Sequence, residues 1–138
     1  TGMRSQLLSY QKSLQSGVGA DSDALYFAFK CDDPEPGRIK TSVSRRDNIG
    51  ADDWVGLSLD ATGKGQLSYH MMVNPNGIQL DMLNAVSGNE DSSVDWVWES
   101  AGRLTETGYV VEIRLPLAGL LSSCSFLNSI LAVISAVR

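Results

Sequence analysis

Two stretches of alternating sequence decide the fold: LYFAFKC at residues 25–31 and YVVEIRL at residues 109–115. In each stretch every second residue is large and apolar, and a period of two is typical of a β-strand with one buried face. Shorter strand-like runs lie at residues 55–59, 67–73, 78–82 and 94–98, and the apolar run 130–137 would be the last strand. We therefore expect many short strands and no long amphipathic helix after residue 20.

Turn chemistry separates these runs. DPEPG at residues 33–37 cannot continue a strand, and NPNG at residues 74–77 is a strong turn signal. ATGKG at residues 61–65 and TETG at residues 105–108 are typical of hairpin connections. The sequence therefore predicts an all-β fold, an antiparallel β-sandwich with an immunoglobulin-like or jelly-roll-like two-sheet architecture.

Length and charge limit the classes of function. The 138 residues suit one domain. We assign residues 15–138 to the sandwich and residues 1–14 to a lead-in segment or a vector-derived remnant. The net charge of −5 argues against a nucleic-acid partner, which would need clustered Lys and Arg. No apolar run is long enough to span a membrane, and no signal peptide is visible. Cys31 and Cys124 predict two buried free thiols, with a single disulfide as the alternative.

The sequence offers no clear catalytic centre. His70 is the only histidine, and no nucleophile-elbow pattern accompanies it. The carboxylates of Asp52, Asp53, Glu99 and Glu112 could serve a glycosidase in principle, but sequence spacing gives no pair. We therefore expect a protein that is not an enzyme.

One strand face has the residues that a sugar site uses. Trp54 alternates with the apolar set beginning at Val55, so it lies on the opposite face, where an indole ring can cover the C–H face of a sugar. Gly56 beside it would leave room for a planar ligand. If residues 52–60 and 66–74 form a hairpin, His70 and Met72 share this face. The alternative is that Trp54 packs under a loop. Trp96 and Trp98 share a face of their own, and we expect at least one of them to be buried.

Acidic loops are the candidate metal ligands. Asp32, Asp33 and Asp60 lie at turns, and their oxygens suit calcium, although no EF-hand spacing is present. Solvated loop charges are the alternative interpretation.

Several segments together resemble the family 9 carbohydrate-binding modules, in particular a bacterial subgroup found N-terminal to an outer-membrane-barrel-like domain of unknown function. The segments are DALYFAF at 23–29 with DDP at 32–34, RRDNI at 45–49 with DDWV at 52–55, NPNGIQLD at 74–81, WESAGR at 98–103 and GYVVEIRLP at 108–116. The resemblance covers about residues 15–118. It departs at the two sugar-clamping tryptophans, since the first would fall near residues 49–51 and the second beyond the last strand.

The resemblance implies non-catalytic binding of poly- or oligosaccharide ends by a calcium-stabilised sandwich, as the binding module of a glycan-degrading protein. It also implies a secreted, periplasmic or cell-envelope location. The predicted ligand-binding residues are Trp54, His70, Met72, Asn74, Gln79 and Trp98. The alternative is an interaction module without sugar binding. A haem-binding sandwich, which could use His70 and the neighbouring methionines, and a glycoside hydrolase stay open as well.

The expected protein partner is a second copy of the chain. An unpaired apolar strand edge is a template for another strand, and a two-fold partner is the simplest cover for it. We predict a homodimer that forms through an exposed strand edge, with residues 130–137 as one candidate, or by exchange of a terminal segment.

Overall fold

The computed structural model describes residues 14–60, 64–118 and 131–137, the last of these by their backbone. The strands are β1 (Leu14–Ala20), β2 (Ala24–Asp32), β3 (Trp54–Asp60), β4 (Leu67–Val73), β5 (Gln79–Ala85), β6 (Glu90–Asp91), β7 (Glu99–Leu104), β8 (Gly108–Pro116) and β9 (Leu131–Val137). A short 3-10 helix, Pro36–Arg38, lies between β2 and β3. Over these residues the chain is all-β, as the alternating sequence predicted.

The strands form two antiparallel sheets. A four-stranded sheet has the order β1-β2-β8-β7, and a five-stranded sheet has the order β6-β5-β4-β3-β9. The two alternating stretches that decide the fold are neighbours in the first sheet, where Phe27 pairs with Ile113 and Phe29 with Val111. The predicted sandwich is therefore confirmed.

The core lies between β2 and β8 of one sheet and β3 and β4 of the other. Because every second residue of a strand points to the same face, each of these strands places its apolar set inward. The buried apolar side chains of the core are Phe27, Phe29, Cys31, Val55, Leu57, Leu59, Met71, Val73, Trp98, Tyr109, Val111, Ile113 and Leu115.

The predicted turn at residues 74–77 joins β4 to β5 and also covers the edge of the other sheet. The Asn74 side-chain oxygen accepts hydrogen bonds from the backbone N–H groups of Asn76 and Ile78, which fixes the turn. Gly77 has a φ of 83°. A Cβ there would lie 2.9 Å from the backbone nitrogen of Gly102 on β7, so the close approach requires glycine.

Two strand predictions need correction. Residues 94–98 are not a strand, since the chain is irregular between β6 and β7. Their alternation reflects packing of an irregular segment, in which Trp98 is 4% exposed and Val97 is 87% exposed. Conversely, β1 extends to Ala20, through a segment that we did not predict as a strand. Its two glycines lower its strand propensity, and for this reason we did not predict it.

Of the two cysteines, Cys31 lies within the described residues. Cys31 is a buried free thiol, as predicted, and burial raises its pKa to about 11, which makes it unreactive. Cys124 lies outside the described residues, so its burial stays a prediction. Among the residues that the structure describes, no helix has the length and apolar character that a bilayer crossing requires.

Candidate functional site

The structure brings together three of the predicted ligand-binding residues. β3 and β4 form the predicted hairpin, with Gly56 opposite Met72 and Ser58 opposite His70. Trp54 lies two residues before Gly56 on the same strand, so Trp54, Met72 and His70 share the outer face of the five-stranded sheet. All three are partly buried.

The room that we expected beside Trp54 is filled. Gly56 is buried, and a Cβ built on it would lie 2.3 Å from the carbonyl oxygen of Met71 and 2.9 Å from Cγ of Met72. The Met72 side chain therefore covers the glycine. The prediction that Gly56 leaves space for a planar ligand is wrong, because the side chain opposite it occupies that space.

Both ring nitrogens of His70 are already hydrogen-bonded. The Ser58 hydroxyl lies 3.0 Å from Nδ1, and the Ser68 hydroxyl lies 2.8 Å from Nε2. Burial lowers the pKa of this imidazole, and the negative charge of Glu90 offsets part of that effect. His70 is therefore held between two serines, and burial disfavours its charged form.

The other three predicted residues lie elsewhere. Asn74 is fully buried in the turn, where its nitrogen donates to Asp52 Oδ2 and to the carbonyl of Ser42. Gln79 donates from Nε2 to the carbonyl oxygen of Trp98, 3.0 Å away. Trp98 itself belongs to the core. Their place in a ligand site stays a prediction. In this structure the side-chain amides of Asn74 and Gln79 connect segments of the fold, whereas the buried Nε1 of Trp98 has no hydrogen-bond partner among the described residues.

Gln79 belongs to an arginine-centred cluster that sequence analysis missed. Arg46, in the long segment before β3, donates from Nη1 to Gln79 Oε1 and from Nη2 to Asp81 Oδ1 at 2.6 Å. Its Nη2 also donates to the carbonyl oxygen of Trp96 at 2.8 Å. The Asp81 side chain is 0% exposed and that of Arg46 is 31% exposed, so the acid of this ion pair is buried and the arginine is half-buried. We call these residues, together with Asp47, Asp95 and Trp98, the Arg46 cluster.

The rest of the cluster completes the surroundings of the guanidinium. Asp95 Oδ1 lies 3.0 Å from Arg46 Nε, but Nε makes no hydrogen bond, so the contact is an ion pair with poor alignment. The guanidinium carbon lies 5.8 Å from the ring centroid of Trp98. Asp47, with a φ of 67°, accepts a hydrogen bond from the backbone of Asp81. The cluster ties residues 46–47 and 95–98 to β5, which is a structural task.

The predicted metal ligands do not come together. Asp32 accepts a hydrogen bond from the Thr107 hydroxyl, the first cause of its lowered pKa, and also pairs with Lys30. Asp33 accepts from the backbone of Glu35, and Asp60 accepts from that of Gly65. Across the described part of the chain, no three His, Cys, Asp or Glu side chains converge in a way that could hold a metal ion. Calcium at these loops stays a prediction.

A second surface has the shape of a ligand site. The outer face of the four-stranded sheet carries a depression of about 640 Å³, which we call the trough. Its floor is a cross-strand row of paired residues: Gly17 of β1, Ala28 of β2, Glu112 of β8 and Ala101 of β7. Paired residues of antiparallel neighbours project to the same side, so Glu112 alone raises a long side chain from this row. The adjacent row forms a wall: Gly19, Tyr26, Arg114 and Glu99.

The wall of the trough is polar, aromatic and open to solvent. Arg114 Nη1 donates to Glu99 Oε1 at 2.8 Å. A hydrogen bond to Tyr26 and the charge of Glu99 raise the pKa of Arg114. The Tyr26 hydroxyl donates to Asp21 Oδ2 at 2.8 Å, which orients the ring, and Tyr26 is 38% exposed. Glu112 is exposed and has no hydrogen-bond or ion-pair partner within the described residues.

Comparison with known proteins finds no counterpart. No protein-family model, no curated protein and no solved structure matches this chain. The candidate sites therefore rest on the geometry of this molecule.

Proposed function

We propose that this chain is a non-catalytic carbohydrate-binding module and that the trough holds the sugar. The observation that carries the proposal is the floor of small residues beside a wall with an aromatic ring, an arginine and carboxylates. Ligand sites for small molecules are concave, with a few polar groups placed to fix orientation. The trough has this combination, whereas on the face that carries Trp54 the space over Gly56 is occupied by Met72.

The chemistry of the wall suits a neutral, hydroxyl-rich ring. The apolar C–H face of a sugar can lie against the ring of Tyr26, which Asp21 holds in place. Sugar hydroxyls both donate and accept, so they can donate to Glu112 and Glu99 and accept from Arg114. The mixed charges of the wall also disfavour a strongly anionic or cationic ligand. We propose an oligosaccharide, or the end of a polysaccharide chain, as the ligand.

The expected affinity is modest. The trough is open, and its charged groups are hydrated before the ligand arrives, so each new hydrogen bond replaces one to water. We expect a dissociation constant between about 1 mM and about 1 μM, equivalent to roughly 4–8 kcal/mol. The proposal includes no bond-breaking step. A location outside the cytoplasm, where polysaccharides are met, belongs to the same proposal.

Titration with sugars, followed by nuclear magnetic resonance, tests the ligand and its place together. Cello- and xylo-oligosaccharides would be added to the labelled protein up to millimolar concentration, after a glycan array has been used to widen the choice. The expected shifts fall on the amides of β2, β7 and β8 around Ala28, Ala101 and Glu112. Shifts that instead fall on β3 and β4 around Trp54 would move the site to the other sheet. No shift with any sugar would remove the proposal.

A further inference from the structure

β1 is an open edge of the four-stranded sheet. Among the described strands it pairs with β2 alone, and six of its seven residues, all but Leu14, are exposed. Its sequence, LQSGVGA, contains neither charge nor proline, which are the usual protections of an edge strand. Val18 is 65% exposed although it pairs with Phe27 and so lies on the core-facing side of the sheet.

The opposite edge of the same sheet is protected. β7 carries the charges of Glu99 and Arg103. The turn at residues 74–77 lies against it, with the Ser100 hydroxyl donating to the carbonyl oxygen of Gly77 at 2.9 Å. In the other sheet, β6 ends the strand order with two acidic residues, Glu90 and Asp91. At its other end lies β9, whose sequence LAVISAV is also uncharged and without proline, so β1 and β9 are the two neutral edges among the described strands. β1 is the one of the two in which glycine, serine and alanine dominate.

We propose that two copies of the chain pair antiparallel through β1, with the two-fold axis at Gly17. Gly17 is the middle residue of the strand, so this register uses its full length. Gly17 then lies opposite Gly17 of the second copy, Ser16 opposite Val18, and Leu14 opposite Ala20. The dimer would have one continuous eight-stranded sheet, in the order β7-β8-β2-β1-β1-β2-β8-β7.

The chemistry of β1 fits a second copy better than a foreign peptide. Recognition of a foreign strand takes its specificity from pockets for alternate side chains. β1 supplies glycine, serine and alanine, and a Cβ placed on Gly17 or Gly19 has nothing within 4 Å. Self-pairing brings no like charges together on the strand, and it gives each exposed Val18 a diagonal Val18 neighbour. A contact of one strand per copy is small, so a weak, concentration-dependent dimer is expected.

Dimerisation would also lengthen the trough, a consequence that rests on the proposed function. Gly17 and Gly19 belong to the trough lining as well as to β1. Antiparallel pairing around Gly17 therefore joins the floors of two troughs across the axis. A longer sugar chain could contact both copies, and sugars would then favour the dimer.

Disulfide trapping tests the proposed register directly. Gly17→Cys places the two cysteines opposite each other, with Cα atoms about 4.5–5.5 Å apart, within the range for a disulfide. Gly19→Cys is the matched control, because its two copies would be four residues out of register, about 13 Å apart. Both variants and the wild-type full-length chain would be oxidised at high concentration without sugar. Mass spectrometry would then identify the linked peptides.

The expected result is that Gly17→Cys gives at least about tenfold more of its own linked peptide than Gly19→Cys gives. Equal trapping of the two variants would overturn the register. Analytical ultracentrifugation supplies a second readout. Gly17→Lys sets two like charges opposite each other, so its dimer should dissociate severalfold more readily than the wild-type dimer. Gly50→Lys adds the same charge at another glycine with open space around it and should leave dimerisation unchanged. A wild-type chain that stays monomeric at millimolar concentration would overturn the proposal, whatever the sugar titration gives.

Discussion

Arg46 and Arg114 each lie beside acids and an aromatic ring, but the acid paired with Arg46 is buried and the acid paired with Arg114 is exposed. Arg46 donates to Gln79, Asp81 and the Trp96 backbone, and its partner Asp81 is fully buried. Arg114 lies on an open sheet face and pairs with Glu99, whose side chain is 69% exposed. The residue types are nearly the same in both places. The two places differ in how many of these polar groups are hydrogen-bonded to other parts of the protein.

That difference separates a structural cluster from a candidate ligand site. A buried polar group must be satisfied within the protein, because leaving it unpaired costs the full desolvation free energy. The Arg46 cluster meets this need for Asp81 and for both terminal nitrogens of Arg46, whereas Arg46 Nε and Trp98 Nε1 are buried without a hydrogen-bond partner among the described residues. The trough keeps its carboxylates, Glu99 and Glu112, exposed to solvent, so a ligand can replace the water on them.

The largest expected effect comes from removing the two arginines in turn. Arg46→Met leaves the Asp81 carboxylate buried without its cation and should lower the free energy of unfolding by about 3–5 kcal/mol. Arg114→Met removes an exposed pair, and such pairs contribute little to stability. Urea denaturation of both variants measures the contrast. Equal losses would show that the Arg114 pair is also part of the framework.

A smaller effect is expected at two glycines on the outer faces of the two sheets. Gly56→Ala puts a Cβ against the Met71 carbonyl and Met72 Cγ and should cost about 1–3 kcal/mol, as overpacking does. Gly17→Ala meets open space and should leave stability unchanged or slightly raised. Thermal melts of the pair check this. If Gly56→Ala were as stable as wild type, Met72 would have moved aside, and the face of Trp54 would be open to a ligand.

The smallest effect is the pH dependence that His70 adds. Its pKa is lower in the folded chain than in the unfolded one, so the unfolded state binds more protons and stability rises with pH. The contribution is complete above the unfolded pKa of about 6.5 and is lost as the pH falls from there through the folded pKa. Melts of wild type and His70→Gln between pH 7 and pH 5 should show a steeper fall for wild type. Parallel curves would mean that His70 titrates alike in both states.

Much of the fold could be predicted because it depends on local patterns. The period of two in residues 25–31 and 109–115 gave the central strands, and the NPNG turn gave the hairpin of β4 and β5. β1 was missed because its glycines carry no apolar period. Residues 94–98 were assigned to a strand because two tryptophans with one residue between them look like alternation, whether or not the backbone is extended.

The candidate sites were less predictable because they depend on register between distant segments. Arg46 and Asp81 are 35 positions apart. The trough floor joins Gly17 and Ala28 to Ala101 and Glu112, and this row exists only once the pairing of four strands is known. A single sequence does not state those pairings. The sequence did contain one sign of the trough. Gly17 and Gly19 alternate along β1, and Ala28 lies between the buried Phe27 and Phe29 on β2, so small residues occupy the outer face of both strands.

The central claim, that the trough binds sugar, is tested most directly by calorimetry on two aromatic variants. Tyr26→Ala removes the ring on the trough wall, and Trp54→Ala removes the indole on the outer face of the other sheet. With the oligosaccharide that binds wild type best, we predict that Tyr26→Ala weakens binding at least about tenfold, the equivalent of about 1.4 kcal/mol. Trp54→Ala should bind within about twofold of wild type while losing some stability. Unchanged binding by a folded Tyr26→Ala together with lost binding by a folded Trp54→Ala would contradict the account and place the site on the five-stranded sheet.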